Sequence, residues 1–247
     1  WCHSPESISP KPEVVWYQTK CIKCGRCVEA CPEGLRSGQP INPRLKSGAK
    51  DRSKCRLCRL CISECPQGAL EVKGEVVSES VIADYASQLR PFFRRSGGGV
   101  TLTGGEPTLQ ADFSYACLQL CRQAGIHTAI ETCGYAPWEK FEKLASVTDL
   151  FLFDFKHPEE ELHRQYTGVS NRLILENLAK LIFLGAELIV RVPLIPGCND
   201  SPSIVKAIGR KAVQLGARRI SLLPFNPASS GKYSWLHLSY PLGNVKR

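Results

Sequence analysis

Two cysteine runs share one spacing: Cys21-Ile-Lys-Cys24-Gly-Arg-Cys27-Val-Glu-Ala-Cys31-Pro32 returns as Cys55-Arg-Leu-Cys58-Arg-Leu-Cys61-Ile-Ser-Glu-Cys65-Pro66. C-x2-C-x2-C-x3-C-P is how thiolates ligate paired [4Fe–4S] cubes: three cysteines on a tight loop wrap one cube, and the fourth, before proline, reaches across to the other. That assigns Cys21, Cys24, Cys27 and Cys65 to one cluster and Cys55, Cys58, Cys61 and Cys31 to the second. Two four-cysteine zinc sites are the alternative, but zinc ribbons use pairs of cysteines rather than triplets. Two shorter elements can also bind: Thr103-Gly104-Gly105-Glu106-Pro107 and Asp154-Phe155-Lys156. Glycines let backbone approach a ligand closely. Alone, the first run also fits a strand-to-helix turn, and the second also fits a surface salt bridge.

These groups need elements to hold them. Residues 1–18 are polar and broken by Pro5, Pro10 and Pro12, which reads as a connecting loop. Residues 19–74 form the duplicated cysteine block, its halves separated by Gly38, Pro40, Pro43 and Gly48. It has few long apolar runs, so its order must come from something other than a hydrophobic core. Residues 75–247 alternate between helical and strand patterns. Helices are expected from Ser78 or Ser80 to about Arg95, and near 110–124, 138–144, 158–165, 172–184 and 202–215. Strands are expected at 100–103, 127–132, 149–154, 187–193 and 218–223. Such alternation calls for a parallel sheet, either open and doubly wound or a barrel of βα units.

With 247 residues, 43% of them hydrophobic and 22% charged, the composition is globular and neither disordered nor fibrous. No apolar run approaches the ~18 residues a membrane helix needs. The formal charge of +9 can suggest an acidic partner, and Arg44, Lys46, Lys50, Arg52, Lys54, Arg56 and Arg59 crowd among the cysteines. Thiolate clusters are anionic, so these cations suit cluster surroundings, and no nucleic-acid module is recognisable. Of the other cysteines, Cys117 and Cys121 read as core packing, Cys133 as packing at a strand end, and Cys198 as incidental. His127, His157, His163 and His237 lack ligand spacing. There is no methionine, and no closing helix is recognisable after the last strand pattern, so the chain reads as an internal piece of a longer protein.

Trp1-Cys2-His3-Ser4-Pro5-Glu6, the cysteine pair of runs and the Gly-Gly-Glu-Pro element together resemble the activating enzymes of glycyl radical enzymes (pyruvate formate-lyase activating enzyme-like), within the radical S-adenosylmethionine (SAM) superfamily. The resemblance implies a partial (βα)6 barrel with a bacterial-ferredoxin-like domain inserted in its first loop. It implies that Cys2 is the third cysteine of a C-x3-C-x2-C site for a catalytic cluster, whose other two cysteines would lie upstream of Trp1; the chain alone is then expected to be inactive. It implies that SAM binds the open iron and is cleaved by one electron, and that the resulting 5′-deoxyadenosyl radical takes a hydrogen from a partner's glycine.

By the same resemblance, Gly104, Gly105 and Glu106 receive the methionine amino group, and Lys156 approaches the SAM carboxylate. Asp154 is expected in that neighbourhood or at a monovalent cation. Glu131 and Thr132 match an acid–Thr pair near the methionine moiety, and Arg191 and Val192 match a strand lining the adenosine side. Leu223-Pro224-Phe225-Asn226 matches a Leu-Pro-Tyr-His segment with Asn226 in the histidine's place, and His3 follows the cluster cysteine as in several relatives. The implied electron donor is a flavodoxin or ferredoxin, and the implied setting the cytoplasm of an anaerobic prokaryote. The partner would be a lyase, decarboxylase, dehydratase or fumarate-adding synthase. Two other readings compete: an electron carrier that has lost radical chemistry, and another radical SAM reaction. The intact Gly104–Pro107 and Asp154–Lys156 elements oppose the first; Gly231-Lys232-Tyr233-Ser-Trp235-Leu236, similar to the family's ending, opposes the second.

Overall fold

The structure, a computed structural model, describes residues 1–35, 54–236 and 238–242. Arg44, Lys46, Lys50, Arg52, the separators Gly38, Pro40, Pro43 and Gly48, and His237 lie outside the described residues. The chain divides into two compact units: Trp1–Val76 joined by the segment from Asn226, and Val77–Phe225.

In the first unit, β1 (Glu13–Trp16) pairs antiparallel with β2 (Leu70–Lys73), Trp16 facing Leu70. Two one-turn helices, α1 (Arg26–Glu29) and α2 (Leu60–Ser63), each carry the third cysteine of a run. The sequence duplication reappears in the backbone. Lys23 and Gly25 in the first run, and Leu57 and Arg59 in the second, all have φ between 54° and 82°. A residue with a side chain pays roughly 1–2 kcal/mol in this left-handed region, so three of these four positions are held against their own preference. After each helix the chain closes again, Gly34 N–H on Cys31 O at 3.1 Å and Gly68 N–H on Cys65 O at 3.2 Å. The local core is small, built on Trp16, Cys61, Ala69 and Leu70.

Two expectations are corrected here. Residues 1–18 are not a connecting loop: they hold β1 and the 3-10 turn Pro5–Ser7, and a second such turn, Gln18–Lys20, begins at their end. Val15 and Trp16 are buried against β2, a partner more than fifty residues away that local pattern does not reveal. A helix does follow the last strand, Ser229–Trp235.

The second unit is a five-stranded parallel sheet in consecutive order, β3 (Gly99–Leu102), β4 (His127–Thr132), β5 (Leu150–Asp154), β6 (Leu188–Pro193) and β7 (Ile220–Leu223). The intervening helices are α5 (Ala111–Gln123), α6 (Trp138–Ala145), α7 (Glu160–Thr167), α8 (Arg172–Phe183) and α9 (Pro202–Gln214). The helix expected from Ser78 to Arg95 is two, α3 (Glu79–Gln88) and α4 (Arg90–Ser96). Pro91 at the start of α4 has no N–H to continue the first helix. The helix after the last strand, in the first unit, is α10.

One sheet face is dry: Ile130, Phe151, Phe153, Val190 and Val192 pack on Leu118, Phe141, Leu144, Leu178 and Ile208 of the helices. Successive strand side chains alternate, so Glu131, Asp154 and Arg191 share the opposite face, while Val192 belongs to the core. Gly134, just past β4, has φ +76°, and a Cβ there would sit 2.3 Å from the Phe153 ring. Gly134→Ala is therefore expected to cost about 2–4 kcal/mol through overpacking and left-handed strain. Denaturant unfolding checks this; a loss below about 0.5 kcal/mol would contradict the packing described.

Candidate active site at the strand ends

The C-terminal strand ends carry two polar constellations, separated by the pleat. On one side Glu106, after β3, is fully engaged within the protein. Its Oε1 accepts from the Thr132 hydroxyl at 2.8 Å, the Thr108 hydroxyl at 2.9 Å and the Thr108 N–H at 3.2 Å. Its Oε2 accepts from the Cys133 N–H at 2.8 Å. The carboxylate thus ties the loop after β3 to the end of β4.

On the other side, charges alternate across three strands. The Arg191 guanidinium pairs with Glu131 and reaches Asp154 Oδ1 from Nη2 at 2.7 Å and from Nε at 3.1 Å. Asp154 Oδ2 then meets Lys156 Nζ at 3.4 Å. The pair is not at the open surface: Asp154 and Lys156 side chains are 16% and 21% exposed. Burial pushes the Glu131 carboxyl up, but Arg191 outweighs it and holds the group below its ordinary range. Burial likewise opposes the Arg191 charge, and the two carboxylates more than restore it.

Asn199, which the sequence did not single out, is fully buried and supports this edge. Its Nδ2 donates to Lys156 O at 2.7 Å and Pro193 O at 2.8 Å, and its Oδ1 accepts from Ile195 N–H at 2.7 Å. Burial and the Glu106 carboxylate push the Cys133 thiol up to about 12, which favours the protonated thiol and a packing role over a thiolate nucleophile. Cys117 and Cys121 are buried as expected, Cys117 pushed up to about 11 by burial. His157 and His163 are buried and hydrogen-bonded to nearby backbone, consistent with packing roles.

In the first unit, Cys21, Cys24, Cys27 and Cys65 line one cavity of about 240 Å³ together with Trp16 and Leu70. That is below the ~300–1,000 Å³ of organic-ligand pockets yet far more than a single ion fills. Backbone N–H groups of Lys23 and Ala69 point at Cys21 and Cys65 sulfurs, at 3.4 and 3.2 Å, as suits thiolates on an anionic cluster. These residues fit an iron–sulfur cube. Of the second set, Cys61 is buried, Cys31 half-buried, and Cys55 and Cys58 exposed. Cys2 is exposed and accepts the Ser4 N–H at 3.4 Å. The Asn226 Oδ1 accepts from Ala228 N–H at 3.0 Å.

A profile of the radical SAM superfamily matches residues 56–206, and one of the 4Fe-4S dicluster domain matches residues 20–79. The choline trimethylamine-lyase activating enzyme of Oleidesulfovibrio alaskensis is 39% identical over 246 residues, 98% of this chain and 79% of that protein. The trans-4-hydroxy-L-proline dehydratase activating enzyme of Clostridioides difficile is 39% identical over 250 residues, 100% of this chain and 81% of that protein. The chain belongs to the radical SAM superfamily, among the activating enzymes of glycyl radical enzymes.

Streptococcus suis SuiB bound to precursor peptide SuiA shares the fold, with TM-score 0.54 at 16% identity over 69% of this chain and 37% of that one. As a member of this family the chain is an oxidoreductase that binds [4Fe–4S] clusters and SAM. Among the described residues, no helix is long and apolar enough to cross a membrane.

Arg191→Met would leave Glu131 and Asp154 facing each other uncompensated, and is expected to cost roughly 2–4 kcal/mol, discounted for partial exposure. The pH dependence has a definite sign. Glu131 has a lowered folded pKa, so its contribution is present above about 4.5 and lost as pH falls through the folded value. Urea unfolding between pH 3 and 7 should show this acid-side loss in the parent and a flatter profile in Arg191→Met; parallel profiles would contradict the pairing.

Proposed function

We propose that the strand-end network holds SAM and that the chain activates a glycyl radical enzyme by removing a hydrogen from one of its glycines. The observation that carries this is Lys156. An ammonium has three donors, and Asp154 at 3.4 Å is a long contact for one of them. A ligand carboxylate would be a stronger partner, and Asn199 holds the Lys156 backbone in place to receive it.

The other assignments carry over from the family resemblance, and the contacts of the structure bear on them. Glu106, with both oxygens engaged, positions the loop, and the methionine amino group is assigned to the backbone of Gly104 and Gly105; Gly104 has φ +105°, a conformation that side-chain-bearing residues avoid. Thr132 supports Glu106, while Arg191, held between Glu131 and Asp154, is assigned to placing Lys156 through Asp154 rather than to contact with adenosine. Arg191 supplies the positive charge between the two acids, so no monovalent cation is assigned there. The Asn226 amide is assigned to adenosine as a donor. Cys2 is assigned to the catalytic cluster, and the two sets Cys21/Cys24/Cys27/Cys65 and Cys55/Cys58/Cys61/Cys31 to the relay clusters. When bound, the clusters supply low-potential electrons and SAM supplies the deoxyadenosyl carbon that accepts the hydrogen. A flavodoxin or ferredoxin is the proposed donor, and oxygen-sensitive thiolate clusters favour the cytoplasm of an anaerobic prokaryote.

Anaerobic incubation of the cluster-loaded protein, extended upstream of Trp1 to include the two further cysteines the resemblance implies, with SAM, reductant and candidate glycyl radical enzymes tests the reading. A glycyl radical signal is expected by electron paramagnetic resonance, reduced at least about 100-fold by Lys156→Met. No radical on any partner, or full activity of Lys156→Met, would overturn it. For the relay, variants lacking Cys24 and Cys58 should fail with a flavodoxin donor; normal activation would sink that part.

A further inference from the structure

The helix α10, Ser229–Trp235, belongs to the first unit although some 150 residues separate it from Val76. It touches that unit at both ends of interest. Lys232 Nζ pairs with Glu6 Oε1 at 2.5 Å, and the Tyr233 hydroxyl meets the main chain of Cys2. Trp235 packs edge-on against Tyr17, centroids 5.1 Å apart at 72°. Tyr17 directly follows Trp16, whose ring lines the cavity of Cys21, Cys24, Cys27 and Cys65. The helix is itself anchored: Leu238 N–H returns to Tyr233 O at 2.9 Å, and Tyr240 packs on Tyr233 at 4.8 Å.

We propose that α10 is a strut that fixes the Cys2 loop against β1 and so sets the separation between Cys2 and the four-cysteine cavity, with Lys232, Tyr233 and Trp235 as its positioning residues. Glu6 makes the attachment unforgiving. Its Oε2 is buried without a hydrogen-bond partner among the described residues, so Lys232 is the charge that compensates the carboxylate. Removing one member of such a pair strands the other. The edge-on ring pair gives the second attachment a preferred orientation as well as buried area. Of residues 1–12 only Pro5 is buried, and segments of that kind open locally unless tied down. The functional meaning of a fixed separation rests on the activase reading, in which Cys2 holds a cluster; the strut does not.

Hydrogen exchange on the anaerobically purified, cluster-loaded protein tests it. Lys232→Met and Trp235→Ala are each expected to speed exchange across residues 1–8 by about tenfold, with β3–β7 unchanged. Lys232→Arg and Trp235→Phe should restore protection, and Glu6→Gln combined with Lys232→Met should be better protected than Lys232→Met alone. In the same samples the truncations should broaden the magnetic coupling between cluster spins. Unchanged exchange at residues 1–8 in both truncations, or an equal rise throughout β3–β7, would overturn the strut. Strut-dependent protection in a protein that never generates a glycyl radical would instead count against the activase reading alone.

Discussion

Two carboxylates on neighbouring strands and the same face repel unless a cation lies between them. Glu131 on β4 and Asp154 on β5 are in that position, and Arg191 on β6 is the cation. A guanidinium suits the task because its planar fork can address two acids at once. The remaining site geometry follows from this contact. With Asp154 held by Arg191 on one oxygen, its other oxygen faces Lys156, and the lysine is presented at the strand ends where parallel α/β sheets place their chemistry.

The pleat does a second piece of sorting. Glu131 and Thr132 are adjacent in sequence yet serve different partners, Arg191 and Glu106, because alternate residues face opposite ways. The helix-facing side keeps neutral hydroxyls, a backbone N–H and one saturated carboxylate, while the other side keeps the balanced charges. The ferredoxin-type unit is ordered differently. Among the described residues the cluster beside its cysteines has four buried side chains, Trp16, Cys61, Ala69 and Leu70, and the unit depends on paired left-handed turns at Lys23, Gly25, Leu57 and Arg59 and on what its cysteines hold.

Much of this was legible in the sequence. The duplicated cysteine spacing and the alternating strand and helix patterns after residue 75 carry local periodicity, and the five parallel strands lie within a few residues of the spans that periodicity gives, while Pro91 splits one helix in two. What stayed hidden depends on long-range partners. β1 exists because β2 lies opposite it, and α10 is short, polar and stabilised by Glu6, Tyr17 and Tyr240 rather than by its own pattern. Asn199 looks like a loop asparagine until the three hydrogen bonds of its buried side chain are seen. Glu106 reads as a ligand-binding acid, but four internal donors occupy it.

The proposed SAM site requires that Arg191 act on SAM through Asp154 and Lys156. It is tested most directly by SAM affinity measured anaerobically on the cluster-loaded parent, Lys156→Met, Arg191→Met and the double variant. If the chain of contacts works as described, each single change weakens binding and the double is little worse than the worse single, a coupling of about 1 kcal/mol or more. Losses that simply add would mean that Arg191 and Lys156 meet SAM independently, and would contradict the account.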